Sequence, residues 1–151
     1  MGNLYQFQKN LQKLDDSKTL ELILFVEIKR YENIFINLNK KQLSEGESAT
    51  GGLFGTYSQA TEEIAKTENP RKPKIAGQPF NFEYTGGLFD GFELLVDGTQ
   101  AQFWSTDSKT PFLVTEYKDL FGLQDENLKE VITKVIYPAF MIQIRKVLQI
   151  D

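Results

Sequence analysis

The strongest helical pattern in the chain covers residues 19–41. Apolar residues recur there at three- and four-residue steps, which is the stripe of an amphipathic helix. At about 1.5 Å per residue, a single helix over this range is roughly 33 Å long, as wide as a small domain. Other apolar residues widen the stripe beyond one face, so we expect partners on two sides of the helix; these residues are Leu22, Phe25, Val26 and Ile36.

A second helical stripe covers residues 126–149, and Asp125 is its predicted N-cap. Pro138 lies inside this stripe and has no backbone N–H, so we expect the helix to be kinked or divided there. Glycine and proline predict loops between the two long helices. Two shorter helices are predicted within that region, at residues 59–66 and 112–121.

Strand signals lie in the middle of the chain. Phe80, Phe82 and Tyr84 alternate with polar residues, which is the period of a half-buried strand. Residues 91–97 and 100–105 flank an Asp-Gly turn signal and predict a hairpin. We expect a small antiparallel sheet of three strands. The predicted fold class is α+β, with long N- and C-terminal helices packed on a small antiparallel β-sheet.

Length and composition limit the function. The length of 151 residues fits one domain, residues 1–151. Cysteine and histidine are both absent, which removes disulfides, thiolate nucleophiles, the usual general base and the commonest zinc ligand. A net charge of −4 does not favour binding to nucleic acid, whose phosphates are also negatively charged. Charged residues interrupt the most apolar stretch, residues 20–38, and no signal peptide is visible. We expect no cofactor, no metal, no membrane contact and no specific nucleic-acid binding.

Two surfaces are candidate interfaces. Residues 67–79 combine three prolines with a run of basic residues, which predicts an extended and solvated connection. Proline stiffening favours contact between this connection and a partner. The second face of the first long helix is the other candidate. The predicted interface residues are Leu22, Phe25 and Val26 on the helix and Arg71, Lys72 and Lys74 on the connection.

Other patterns are weaker. The word Thr-Gly-Gly-Leu-Phe begins at Thr50 and again at Thr85, but neither copy continues into the lysine and hydroxyl of a phosphate-binding loop. Both copies indicate glycine-permitted turns. Carboxylate pairs such as Asp90 with Glu93, or Asp97 with Glu83, are the remaining route to acid–base catalysis, and the spacing selects none of them.

Four short motifs follow one another within residues 42–148. They are Gly51-Gly-Leu-Phe-Gly-Thr-Tyr-Ser58 with Thr61, Thr85-Gly-Gly-Leu-Phe-Asp-Gly-Phe92, Asp107-Ser-Lys-Thr110, and Phe121-Gly-Leu-Gln-Asp-Glu-Asn-Leu128, with Pro138 inside the helix that follows. In this order they resemble a virion-morphogenesis, or tail-completion-like, family of Bacteroidetes phages and prophages, including crAss-like phages. The resemblance does not include the N-terminal helix. It also departs from the family pattern at Tyr84, where an acidic residue is usual.

The resemblance implies a structural protein of a tailed bacteriophage virion, without catalysis, at the head–tail connector (neck) or the tail-completion ring. Its implied partners are copies of itself in a ring and neighbouring virion proteins such as portal, connector or tail proteins. It implies assembly in the host cytoplasm and a place in the virion. Two alternatives stay open: a small phage-encoded cytoplasmic binding module or inhibitor of a host protein, and a carboxylate-based hydrolase.

Overall fold

The computed structural model describes residues 4–98 and 100–150, and it confirms the α+β class. Helices at both ends of the chain pack on an antiparallel pair, β1 (Phe92–Asp97) and β2 (Gln100–Ser105). The helices are α1 (Leu4–Leu14), α2 (Ser17–Arg30), α3 (Glu32–Ser44), α4 (Gln59–Glu68), α5 (Gly87–Asp90), α6 (Thr110–Glu116), α7 (Asp125–Val131) and α8 (Tyr137–Leu148), and a π-helical segment, Ile132–Ile136, joins the last two. Across the described ranges, no helix has both the length and the apolar character needed to cross a membrane.

The N-terminal region contains three helices rather than one long helix. The predicted helix over residues 19–41 is divided at Tyr31, whose φ of −103° and ψ of 20° leave the helical range. Neither proline nor glycine marks this break in the sequence. The helix α1 was not predicted, although its apolar residues Leu4, Phe7, Leu11 and Leu14 recur at three- and four-residue steps. The division lets α2 and α3 reach the core from different directions, and both contact β1.

The hairpin agrees with its prediction. Phe92 pairs with Ser105 and Leu94 pairs with Phe103, so Phe92, Leu94 and Phe103 lie on one face, as predicted. Phe92 and Leu94 are buried in the main core. The other buried members of this core come from α2, α3, the loop after α6 and the C-terminal helical region; they are Ile28, Phe35, Ile36, Leu43, Leu120, Val131 and Ile136.

The predicted third strand is wrong. Residues 80–84 form no strand, and Phe82 has a φ of +54°. The Tyr57 hydroxyl accepts the backbone N–H of Asn81 at 2.9 Å, and the Asn81 side chain accepts the backbone N–H of Glu83 at 3.0 Å. Because side chains take these backbone donors, a neighbouring strand is not needed. Phe80 and Phe82 instead join an edge-to-face cluster with Phe54 and Tyr117, while Tyr84 is exposed.

The C-terminal helical region is interrupted ahead of Pro138, as predicted. The backbone N–H of Tyr137 donates to the carbonyl of Ile132, five residues earlier, which is π-helical spacing. Pro138 itself has no N–H to continue the pattern. Two boundaries were wrong. The predicted helix over residues 112–121 ends at Glu116, and Asp125 is the first residue of α7 rather than its N-cap.

Two buried amides of α3 bind the loop before α7 and its first turn. The Gln42 side chain donates to the carbonyl of Gly122 at 3.0 Å, and its Oε1 accepts the backbone N–H of Gln124 at 3.1 Å. The same Oε1 also accepts from the Asn127 side chain at 2.8 Å. Asn39 accepts the backbone N–H of Gly122 at 3.0 Å. These contacts join positions about 80 residues apart in the chain and position α7 against α3.

Candidate functional site

The outer side of α2 is apolar and uncovered. Leu22 and Val26 are 58% and 55% exposed, which is where the sequence predicted an interface. Phe25, predicted with them, is half-buried and packs against the core. At 3.6 residues per turn, Phe25 lies between Leu22 and the buried Ile28 around the helix. Phe25 therefore contributes to the fold, while Leu22 and Val26 are free to contact another molecule.

A shallow groove of about 230 Å³ runs between α2 and α8 beside these side chains. On α8, Gln143 and Val147 form its opposite wall. Ile142, also on α8, is 52% exposed. The full lining of the groove is Leu22, Ile23, Val26, Glu27, Arg30, Gln143 and Val147.

Glu27 is a buried carboxylate at the base of this groove. Its Oε2 accepts from Nη1 of Arg30 at 3.0 Å, while its Oε1 has no hydrogen-bond partner among the described residues. A buried carboxylate oxygen without a donor is destabilising, because the oxygen has lost its water and gained nothing in return. Oε1 is itself buried, so a second molecule in the groove would not reach it without a rearrangement of the surrounding side chains.

The basic connection is less solvated than predicted. Arg71 is exposed and Lys72 is half-buried, but Lys74 is only 5% exposed. The expectation that Lys74 lies on a solvated surface is wrong. Its ammonium donates to the Asn81 side chain and to the carbonyl of Glu83, and these acceptors hold it inward. Arg71 and Lys72 stay predicted interface residues, while Lys74 belongs to an internal site.

Lys74 lines a cavity of about 250 Å³ beside α4. The ammonium also lies 5.2 Å from the centre of the Tyr57 ring, in a cation–π contact. The walls are mainly apolar and come from α4, the segment before α5, and α6 with the turn before it. The lining residues are Tyr57, Thr61, Ile64, Ala65, Lys74, Phe82, Glu83, Tyr84, Thr85, Gly86, Leu88, Asp107, Lys109 and Leu113.

Burial shifts the pKa values of two side chains that line this cavity. Desolvation lowers the pKa of Lys74 below its usual value; the Glu83 carboxylate opposes this effect and Lys72 adds to it. Desolvation also raises the pKa of the Tyr57 hydroxyl, so its neutral form is favoured. Both shifts follow from apolar surroundings that disfavour the charged form of a side chain.

Three of the four quoted motifs meet at this cavity. Tyr57 and Thr61 belong to the first, Gly86 to the second and Lys109 to the third. Close approach explains one glycine of the second motif: a Cβ at Gly87 would lie 2.1 Å from Oδ2 of Asp107. Sequence reasoning did not predict the cavity, since each motif indicates a turn when taken alone.

The carboxylate pairs named from the sequence do not come together at this cavity. Glu83 lines it, together with Asp107, while Asp90, Glu93 and Asp97 are not among its lining residues. Within the described ranges, no group of three or more acidic side chains is placed to hold a metal ion.

The comparisons with known proteins add no relative. No protein-family model matches the chain, and no curated protein and no solved structure is significantly similar to it. The resemblance to phage tail-completion-like proteins therefore stays a prediction from the sequence.

Proposed function

We propose that the protein is a structural subunit of a tailed-bacteriophage virion, at the head–tail connector (neck) or the tail-completion ring. It acts by oligomeric packing, without catalysis. The order of the four motifs in the sequence suggests this role. The observation that carries the packing part is the uncovered groove between α2 and α8, with the exposed apolar side chains of Leu22 and Val26.

The groove has the composition of a protein interface. Exposed apolar side chains lose unfavourable contact with water when a partner covers them, by roughly 25 cal/mol per Å² of apolar surface. Leu22 and Val26 offer this surface. A partner that covers these side chains would therefore be held mainly by the burial of apolar surface.

A ring would arise if the partner used a different surface of an identical chain. Such heterologous contacts close into a ring when the rotation between subunits is a fraction of a full turn. The exposed Arg71 and the half-buried Lys72 are the other predicted interface and lie on a separate segment of the chain. Neighbouring portal, connector or tail proteins are the further partners that this role requires.

A charged double substitution in the groove tests this proposal. Replacing Leu22→Lys and Val26→Lys should preserve α2, because lysine favours helices and both positions are exposed. The two charges should disfavour packing, so the molar mass in solution, measured by light scattering, should fall from that of an oligomer to that of a monomer. Leu53→Lys is the matched control, since Leu53 is 60% exposed in the loop after α3. A double variant that keeps the wild-type mass would contradict the role of this groove.

A second candidate function is a small cytoplasmic binding module or an inhibitor of a host protein. The cavity beside α4 favours it, because a concave apolar space with a few polar groups is the usual form of a ligand site. A wild-type protein that is monomeric and does not bind other virion proteins would support this second candidate.

A further inference from the structure

The cavity beside α4 has room for a small organic group. An apolar cavity of about 150 Å³ binds benzene, so the larger space here admits a ring with a short chain attached. Its volume of about 250 Å³ is too small for a dinucleotide or another large cofactor. Ile64, Leu88 and Leu113 supply apolar wall surface from three different elements.

Lys74 is the one buried lysine that lines this space. Its ammonium has three hydrogens, and two of them are taken by neutral oxygens of Asn81 and Glu83. None of the ion pairs within the described ranges includes Lys74. The Glu83 carboxylate, which also lines the cavity, attracts this ammonium without forming an ion pair with it, and neutral acceptors replace only part of its hydration.

Charges at the rim of the cavity balance one another. Oδ1 of Asp107 accepts the backbone N–H of Lys109 at 2.7 Å. Asp90 and Lys72 approach Gly86 together: a Cβ built there would lie 3.4 Å from Oδ2 of Asp90 and 3.6 Å from Nζ of Lys72. The rim therefore has no strong preference for either sign. Glu83 is half-buried, so Lys74 is the fully buried charged group that a ligand inside the cavity meets.

We propose that this cavity binds a small apolar carboxylate, with its hydrocarbon part against Ile64, Leu88 and Leu113 and its carboxylate beside Lys74. The ammonium would repel a cationic ligand, and a neutral apolar ligand would supply no acceptor to it. A phosphate would find apolar walls and one buried cation. A free aromatic or aliphatic acid and the C-terminal residue of a partner chain share the required chemistry. This inference does not depend on a role in the virion.

Calorimetric titration of the full chain with 3-phenylpropionate and with its neutral amide tests the proposal. The acid should bind at least about tenfold more tightly, because a charge-assisted hydrogen bond is stronger than a neutral one. Lys74→Met should remove this preference. Lys118→Met, which replaces an exposed lysine outside the lining of the cavity, is the control and should keep it. Equal binding of acid and amide to the wild-type protein, or binding of neither, would contradict the proposal.

A second variant leaves Lys74 in place, because Lys74 also holds the backbone of Glu83. Ile64→Trp enlarges a side chain that lines the cavity and is 55% exposed, so its backbone position tolerates the change. This variant should keep the wild-type circular dichroism spectrum and bind neither probe. Unchanged binding of the acid by a folded Ile64→Trp protein would overturn the assignment of the cavity.

N-acetyl-phenylalanine separates the two sources of the ligand. Its carboxylate and ring match those of a C-terminal phenylalanine, and its acetyl group mimics the preceding peptide bond. Tighter binding of this probe than of 3-phenylpropionate supports the end of a partner chain as the ligand, and the reverse order supports a free acid. Both orders support the apolar-carboxylate site, provided that Lys74→Met weakens the preferred probe.

Discussion

At the scale of the residue, the buried polar side chains were the hardest feature to predict. Gln42, Glu27 and Lys74 are all buried, yet the sequence pattern places polar residues of these types at the surface. Each is held by acceptors or donors that folding brings to it. For Lys74 these are the Asn81 side chain and the Glu83 carbonyl, which lie on a segment that the sequence predicted as a strand. Because residues 80–84 were wrongly predicted as a strand, the acceptors that make burial of Lys74 possible could not be predicted.

The lowered pKa of Lys74 predicts a dependence of stability on pH. In the folded protein Lys74 releases its proton at a lower pH than in the unfolded chain, where its pKa is near 10.5. Between these two pKa values the unfolded state binds more protons, so this group makes the folded state more stable as pH rises. Below the folded pKa both states are protonated, and the cost of burying the charge is fully present.

Comparison with Lys74→Met isolates this effect from the tyrosines that ionise in the same range. The free energy of unfolding of the wild-type protein, minus that of the variant, should increase as pH is raised toward 10.5. Urea unfolding followed by circular dichroism at several pH values measures the difference. A difference that is constant or decreases with pH would show that Lys74 is not an ammonium in a desolvated site.

At the scale of the element, the hairpin and the C-terminal helical stripe were predicted well, and the N-terminal stripe was not. The Asp97-Gly98 signal located the hairpin and its register, because turn chemistry and side-chain alternation agree there. Residues 80–84 have the same alternation, but the Tyr57 and Asn81 side chains take backbone N–H groups that a strand would pair with a neighbour. Tyr31 divides a continuous apolar stripe without a local signal, since the division serves the packing of α2 and α3 on the hairpin.

Gln42→Leu tests how strongly α3 positions α7. The substitution fits the space but leaves the Gly122 carbonyl, the Gln124 N–H and the Asn127 amide without their partner. Leaving such groups unsatisfied costs about 1–3 kcal/mol each when fully buried, so we expect a loss of about 3 kcal/mol for these partly buried ones. Urea unfolding of the wild-type and variant proteins measures this loss in the free energy of unfolding.

Lys41→Leu is the control for this prediction, because Lys41 is the exposed neighbour on the same helix. A surface substitution of this kind changes stability by about 0.5 kcal/mol or less. If Gln42→Leu were as stable as Lys41→Leu, the amide contacts would not be what holds the loop before α7.

At the scale of the whole molecule, the sequence predicted the α+β class and the presence of helices at both ends. It also predicted an uncovered side of α2, which Leu22 and Val26 form. It did not predict the cavity, because the cavity's walls come from separate segments that meet only in the folded chain. The groove between α2 and α8 exposes apolar side chains, and the cavity beside α4 contains Lys74, which forms no ion pair within the described residues. Both features favour a protein that acts by binding.

The most direct test of the proposed structural role is the molar mass of the purified protein, alone and mixed with portal, connector or tail proteins encoded in the same genome. Size-exclusion chromatography with light scattering gives this mass. The proposed role predicts a ring-sized oligomer or a defined complex with one of these neighbours, and the Leu22→Lys, Val26→Lys variant should lose it. A wild-type protein that stays monomeric and passes through the column separately from every neighbour would contradict that role.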